Sequence, residues 1–237
     1  MDQPLPARLA AEALGTFLFF FMGFSGIAVV VETGAGAIGP LGVAAGFGFG
    51  LVLAITAFGH VSGGHYNPAV TAGLAACGRF PAREVVLYWI AQVLGGICAV
   101  GTMALVFGHD LADALGTAPG AGIDDWGALI LEAVVTALLV MVILTVTAGE
   151  GAPWRGMMAP LLIGLVIFTG ATAVGPESGG SFNPARSFVP IVYNGDWGEL
   201  WIYLVGPFAG GVIGAVVWTY VCTRPDIWTR TDQTRKA

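Results

Sequence analysis

Asparagine, proline and alanine stand together twice, as Asn67-Pro68-Ala69 and Asn183-Pro184-Ala185, and each triplet follows a Ser-Gly-Gly run. The chemistry open to that combination is helix initiation. An Asn side-chain oxygen accepts from backbone N–H groups of the turn it opens, and Pro is tolerated at the first helical position because its missing N–H has no intrahelical role there. The amide NH2 is then left to donate. Three residues after the second Asn comes Arg186, a cation that stays charged, and two carboxylates, Glu12 and Glu132, sit within apolar runs. Bond-making chemistry is poorly served. The sequence offers no convincing nucleophile with a base and no metal-ligand spacing, and Cys77, Cys98 and Cys222 form an odd set without a CxxC pattern. Neither an enzyme, a metal site nor a cofactor is expected.

The elements that must position these groups follow from composition. Of 237 residues, 56% are hydrophobic and only 10% charged, whereas a soluble domain is about a quarter charged. An ordinary globular enzyme is therefore excluded. The net charge of −6, with no basic stripe, excludes nucleic acid as a partner. Apolar stretches cover residues 8–31, 37–59, 82–107, 126–147, 156–174 and 199–222, each near the roughly 20 residues that a spanning helix needs. The reading is an all-α membrane protein with six transmembrane helices. The first run lacks a basic n-region and a cleavage site, and reads as the first span.

Between spans two and three, and between spans five and six, lie 62–78 and 175–195, each expected to be a turn-like half followed by a short apolar half. They match each other: Ser62 to Thr71 aligns with Ser178 to Ser187 at an offset of 116, with six of ten positions identical. Tyr88 to Ile97 aligns with Tyr203 to Val212, and Glu12 to Thr16 with Glu132 to Thr136. The chain therefore reads as one domain built from two repeats, about 1–115 and 120–237. Three spans per repeat force the second copy to enter from the opposite face, an inverted arrangement. Cytoplasmic loops carry the excess of Lys and Arg. With both termini cytoplasmic, Arg8, Arg79, Arg83, Arg155, Arg224, Arg230, Arg235 and Lys236, eight of the nine basic residues, fall on that side. Arg186 alone does not.

After each Asn the apolar half is about ten residues long, 68–77 and 184–193, or about 15 Å, half of a hydrocarbon core about 30 Å thick. These are re-entrant half-helices. Inversion brings their N-termini together near the midplane, where Asn67 and Asn183 become paired donors and two positive dipole ends repel cations. The irregular halves cannot face lipid, so the carbonyls of Gly63, Gly64 and His65, and of Gly179 and Ser181, are expected to line a watery path. A charge as deep as Arg186 is costly and marks that path by default. Glu12 and Glu132 are read as braces that accept from N–H groups of the irregular loop in their own half, with Gln92 in a similar part. The Gly46-Phe47-Gly48-Phe49-Gly50 run is read as helix-crossing contacts, His60 and His109 as loop residues, and 109–125 as a soluble outer connection.

His65-Tyr66-Asn67-Pro68-Ala69-Val70 and Phe182-Asn183-Pro184-Ala185-Arg186-Ser187 resemble the two signature loops of the aquaporin family, the major intrinsic proteins. The resemblance covers nearly the whole chain. It implies a right-handed bundle of six tilted helices with two half-helices, one pore per subunit, and a homotetramer in the lipid bilayer of the cell membrane. It further implies a passive channel for water and small uncharged solutes that excludes protons and ions. By the same resemblance Arg186 is the arginine of the outer aromatic/arginine filter, and the other three filter positions fall on Phe47, Ala171 and Gly180. Water-specific members carry bulkier or polar groups at the last two, so this filter is expected to be wider. Glycerol, urea, ammonia, hydrogen peroxide and metalloid hydroxides then join water as candidate solutes. Other markers conflict: Gly175-Pro176 and Leu204 resemble glycerol-conducting members, Ser187 and Tyr203 water channels. The alternative from another class is an ion- or proton-coupled transporter, which also uses inverted repeats and broken helices but needs titratable groups on the solute path.

Overall fold

The computed structural model describes residues 3–34, 36, 38–147 and 154–223, the side chains of 154 and 155 excepted. In chain order the helices are α1 (Leu5–Thr33), α2 (Gly39–Ser62), α3 (Pro68–Ala76), α4 (Val85–Phe107, entered through a 3-10 turn at Ala82–Glu84), α5 (Leu111–Ala114), α6 (Asp125–Thr147), α7 (Trp154–Ser178), α8 (Pro184–Asn194) and α9 (Leu200–Cys222). Six of these elements are long and apolar enough to cross a membrane. They carry apolar residues around the whole circumference, as a helix with one face on protein and one on lipid must. Leu14, Leu53, Ile90, Ile130 and Ile213 accordingly point outward and are exposed.

Packing repeats from half to half. α1 lies on α2 and α4, α6 lies on α7 and α9, and α2 meets α7 across the two groups. The half-helices are exchanged: α3 packs chiefly on α9, and α8 chiefly on α4. Close crossings depend on missing side chains. A Cβ at Gly95 would run into the Ala13 carbonyl, and one at the matched Gly210 into that of Ala133. The Gly46–Gly50 run serves the same end, since a Cβ at Gly46 would lie 2.9 Å from the Met22 carbonyl and one at Gly48 2.9 Å from that of Gly164.

Several expected boundaries move. α2 ends at Ser62 rather than 59, and α7 at Ser178 rather than 174, so Gly175 and Pro176 are helical and the irregular loops shrink to 63–67 and 179–183. The cause is tertiary: a buried glutamate, Glu12 or Glu132, accepts the hydroxyl of the last helical serine at 2.7 and 2.9 Å and holds that turn closed. His60 is consequently an exposed residue of α2 rather than of a loop. The connection after α4 is not a plain solvated loop either, because α5 and Leu115 pack their apolar side chains into the core. Its glycine at 120 donates its backbone N–H to the Glu177 carbonyl at 2.7 Å. The start of the second expected span, residue 37, lies outside the described residues, as do Arg224, Arg230, Arg235, Lys236 and the side chain of Arg155.

Candidate functional site

The two half-helices present their N-termini to each other. Asn67 caps α3 by accepting from the Ala69 N–H at 2.8 Å, and Asn183 caps α8 by accepting from Ala185 at 3.0 Å. Proline follows each cap. The amide nitrogens do not both remain free, as the residue types alone had implied. Asn67 Nδ2 donates to the Phe182 carbonyl at 2.8 Å, and Asn183 Nδ2 donates to the Tyr66 carbonyl at 2.9 Å. Each NH2 therefore uses one hydrogen to tie the halves together and keeps one. The two accepting residues, Tyr66 and Phe182, are the non-glycine residues with positive φ among those described, 47° and 53°. Such a conformation is uncommon outside Gly, Asn and Asp and costs of order 1 kcal/mol.

What holds those strained residues is the buried carboxylate of the same half. Glu12 Oε1 accepts from Ser62 Oγ at 2.7 Å and the His65 N–H at 3.0 Å, while Oε2 accepts from the Tyr66 N–H at 2.9 Å and Gln92 Nε2 at 2.7 Å. Glu132 repeats the pattern with Ser178 Oγ at 2.9 Å, the Ser181 N–H at 2.9 Å and the Phe182 N–H at 2.6 Å. Tyr88 and Tyr203 close each loop by donating to the Ser62 and Ser178 carbonyls, both at 2.8 Å. Buried donors left without acceptors in such loops would each cost about 1–3 kcal/mol.

Two cavities flank the meeting point. One, of about 380 Å³, is walled in part by Gly63, Gly64, His65, His60 and Val70. The other, of about 300 Å³, is walled in part by Phe47, Ala171, Gly180 and Arg186, with Gly179 beside them. Residues from α2, α7, the second irregular loop and α8 thus face one space. Gly64 and Gly180 adopt φ of 68° and 61°, which a side chain would strain. Ser181 is not on the walls of either cavity; its hydroxyl donates to the Asn183 carbonyl at 2.9 Å and accepts from Ser187 Oγ at 2.6 Å. The His65 ring is likewise engaged, 3.1 Å from Thr71 Oγ1 through Nδ1 and packed against Phe80 and Tyr88.

Arg186 is buried, 4% exposed, which rules out a side chain reaching for outer headgroups. One guanidinium nitrogen donates to the Leu115 carbonyl, and the carbon of the group lies 5.1 Å from the Phe47 ring centre and 5.3 Å from that of Phe24. Aromatic faces at that range attract a cation by about 2 kcal/mol when water is excluded. Its Nε has no protein partner. Phe24 and Leu115 were not legible as site residues: the first is one apolar position among many on α1, and the second acts through its backbone. Among the described residues no group of three or more His, Cys, Asp or Glu is arranged to hold a metal ion.

Six apolar spans around two half-helices that meet head to head, with a cavity beside each re-entrant loop, are the architecture of a passive membrane channel. Similarity to known proteins gives its family. The family model described as Major intrinsic protein matches residues 4–218. Aquaporin NIP1-1 of Oryza sativa subsp. japonica is 39% identical over 217 residues, covering 92% of this chain and 74% of that one. Probable aquaporin TIP2-2 of the same organism is 40% identical over 218 residues, covering 89% and 85%. The X-ray structure of the aquaglyceroporin from Plasmodium falciparum superposes with a TM-score of 0.84 at 25% identity, covering 94% of this chain and all of the other. The chain belongs to the major intrinsic protein family. It is a multi-pass membrane protein and a channel, not an enzyme.

Proposed function

We propose that solutes cross this protein along one path, from the cavity at Phe47, Ala171, Gly180 and Arg186, past Asn67 and Asn183, to the cavity at Gly63, Gly64 and His65. Water passes, and so do uncharged solutes of about the size of glycerol, with urea, ammonia, hydrogen peroxide and metalloid hydroxides in the same class. The observation that carries this reading is the head-to-head pair of capped helix N-termini, each Asn keeping one N–H for a passing oxygen. An oxygen that accepts from both cannot also take part in a proton wire, and the positive helix ends with Arg186 repel cations. A filter without side-chain bulk at Ala171 and Gly180 favours solutes larger than water.

The two repeats act as an inverted pair within one domain, with both termini cytoplasmic, in the plasma membrane. The exposed apolar faces meet lipid and neighbouring subunits of a homotetramer. Coupled transport is disfavoured because Glu12 and Glu132 are engaged by loop N–H groups and hydroxyls, no carboxylate lines either cavity, and of the two histidines that do, His60 and His65, the second has its ring held by Thr71. Proteoliposomes test the whole reading. Water efflux under a sucrose gradient and glycerol entry should both rise above empty vesicles without saturation and without proton flux. Solute uptake that requires a proton or sodium gradient would overturn it.

A further inference from the structure

The segment that follows α5 touches the second re-entrant loop at three successive places. The Leu115 carbonyl accepts from Arg186. Thr117 Oγ1 donates to Ser187 Oγ at 2.7 Å, Ser187 Oγ donates to Ser181 Oγ at 2.6 Å, and Ser181 Oγ donates to the Asn183 carbonyl at 2.9 Å. The backbone of Ala118 lies so close to Gly179 that a Cβ there would sit 2.9 Å from its carbonyl oxygen. A line of three hydroxyls thus runs from a partly exposed loop residue to the capping asparagine, and the carbonyl that holds the arginine lies two residues from its outer end.

We propose that Thr117 is a positioning residue for solute selection: its hydroxyl fixes the 115–118 segment on α8, and through the Leu115 carbonyl keeps the Arg186 guanidinium back against Phe24 and Phe47. The physical argument is a balance of holds. Arg186 has one hydrogen bond to protein through NH1, an unpartnered Nε, and two aromatic faces. Beside it Ala171 and Gly180 leave open space. A guanidinium released from Leu115 has room to swing into that space and donate to water. It then narrows the passage that the small residues had widened, and glycerol suffers more than water.

This inference rests on Arg186 as a filter residue, so the experiment separates the two. Water and glycerol permeabilities are measured in proteoliposomes, per amount of inserted protein, for wild type, Thr117→Val, Thr117→Ser, Ser187→Ala, Arg186→Val and the Thr117→Val/Arg186→Val pair. Thr117→Val should lower the glycerol-to-water ratio by at least about twofold, the smallest effect expected of neighbours in one network. Thr117→Ser, which keeps the hydroxyl, should keep the wild-type ratio. Ser187→Ala breaks the same line one residue further in and should shift the ratio in the same direction, which keeps the proposal testable if Thr117→Val inserts poorly. In the Arg186→Val background Thr117→Val should change nothing further. A wild-type ratio in both Thr117→Val and Ser187→Ala, or an equal shift with and without Arg186, overturns the positioning role. Failure of the filter reading itself shows separately, as an Arg186→Val channel that selects and excludes ions like wild type.

Discussion

The two re-entrant loops share a capping asparagine, a carboxylate brace and a hydroxyl tie, and they differ in what that tie reaches. In each, a residue just before the Asn is tied to a hydroxyl six positions on: His65 to Thr71 at 3.1 Å, Ser181 to Ser187 at 2.6 Å. The hydroxyl then reaches a third party. For Thr71 it is Gln92, a fully buried residue of the spanning helix α4, at 3.1 Å; for Ser187 it is Thr117, on a connecting segment, at 2.7 Å. Pro207 occupies the position on α9 that matches Gln92 and has no amide to offer. A spanning helix is held along its whole length, whereas a connecting segment moves more readily. The first loop is therefore anchored to the rigid bundle. The second, which carries Arg186 where the first carries Val70, is anchored to a connecting segment, and it is the one to which the proposed function assigns selection.

The strongest way to break this comparison is to remove the part the halves share. Glu12→Ala or Glu132→Ala leaves two loop N–H groups and a serine hydroxyl buried without an acceptor, at about 1–3 kcal/mol each. Both variants should fail to give monodisperse protein in detergent; normal yield and thermal stability of either would show that the loops hold without their brace. Next comes Arg186→Val, which makes the second half like the first at that position. Water permeability should persist while a cation conductance absent from wild type appears in planar bilayers.

A change of size rather than charge sharpens the difference further. Ala171→His fills one wall of the 300 Å³ cavity and should cut glycerol permeability about tenfold, on the scale that one extra group in a fitted site discriminates, with a smaller loss for water. An equal loss of both would move the filter elsewhere. The smallest effect is expected at the first loop's own anchor. Gln92→Leu takes one donor from Glu12 and one from Thr71, each of which has other partners, and removes an amide oxygen that has none. Thermal stability should fall by about 1 kcal/mol, with the glycerol-to-water ratio unchanged. A shifted ratio would mean that both anchors tune selection and that the contrast between them is false.

Much of this was legible from residues alone because the signals were local or periodic. Apolar runs of bilayer length, two matched Asn-Pro turns and a repeat offset announce six spans and two half-helices, since a continuous apolar run in lipid satisfies its backbone as a helix, whereas a barrel strand alternates apolar and polar residues. The capping role of Asn67 and Asn183 follows from their own side chains. What escaped were contacts whose partners are backbone atoms or lie far along the chain. The helical state of Gly175 and Pro176 depends on Glu132 holding Ser178, some 46 positions away, and local propensity there says turn. The second duty of each asparagine amide, to clasp the Tyr66 or Phe182 carbonyl of the other half, depends on a positive φ at two aromatic residues that nothing in their type suggests. Phe24 and Leu115 gained their places around Arg186, and Thr117 its place on Ser187, from the way α1, α8 and the segment after α5 converge. Residue identity determined where the backbone had to turn and which groups were free to donate; only the folded chain, by bringing carbonyls and ring faces within reach, decided where those donations go.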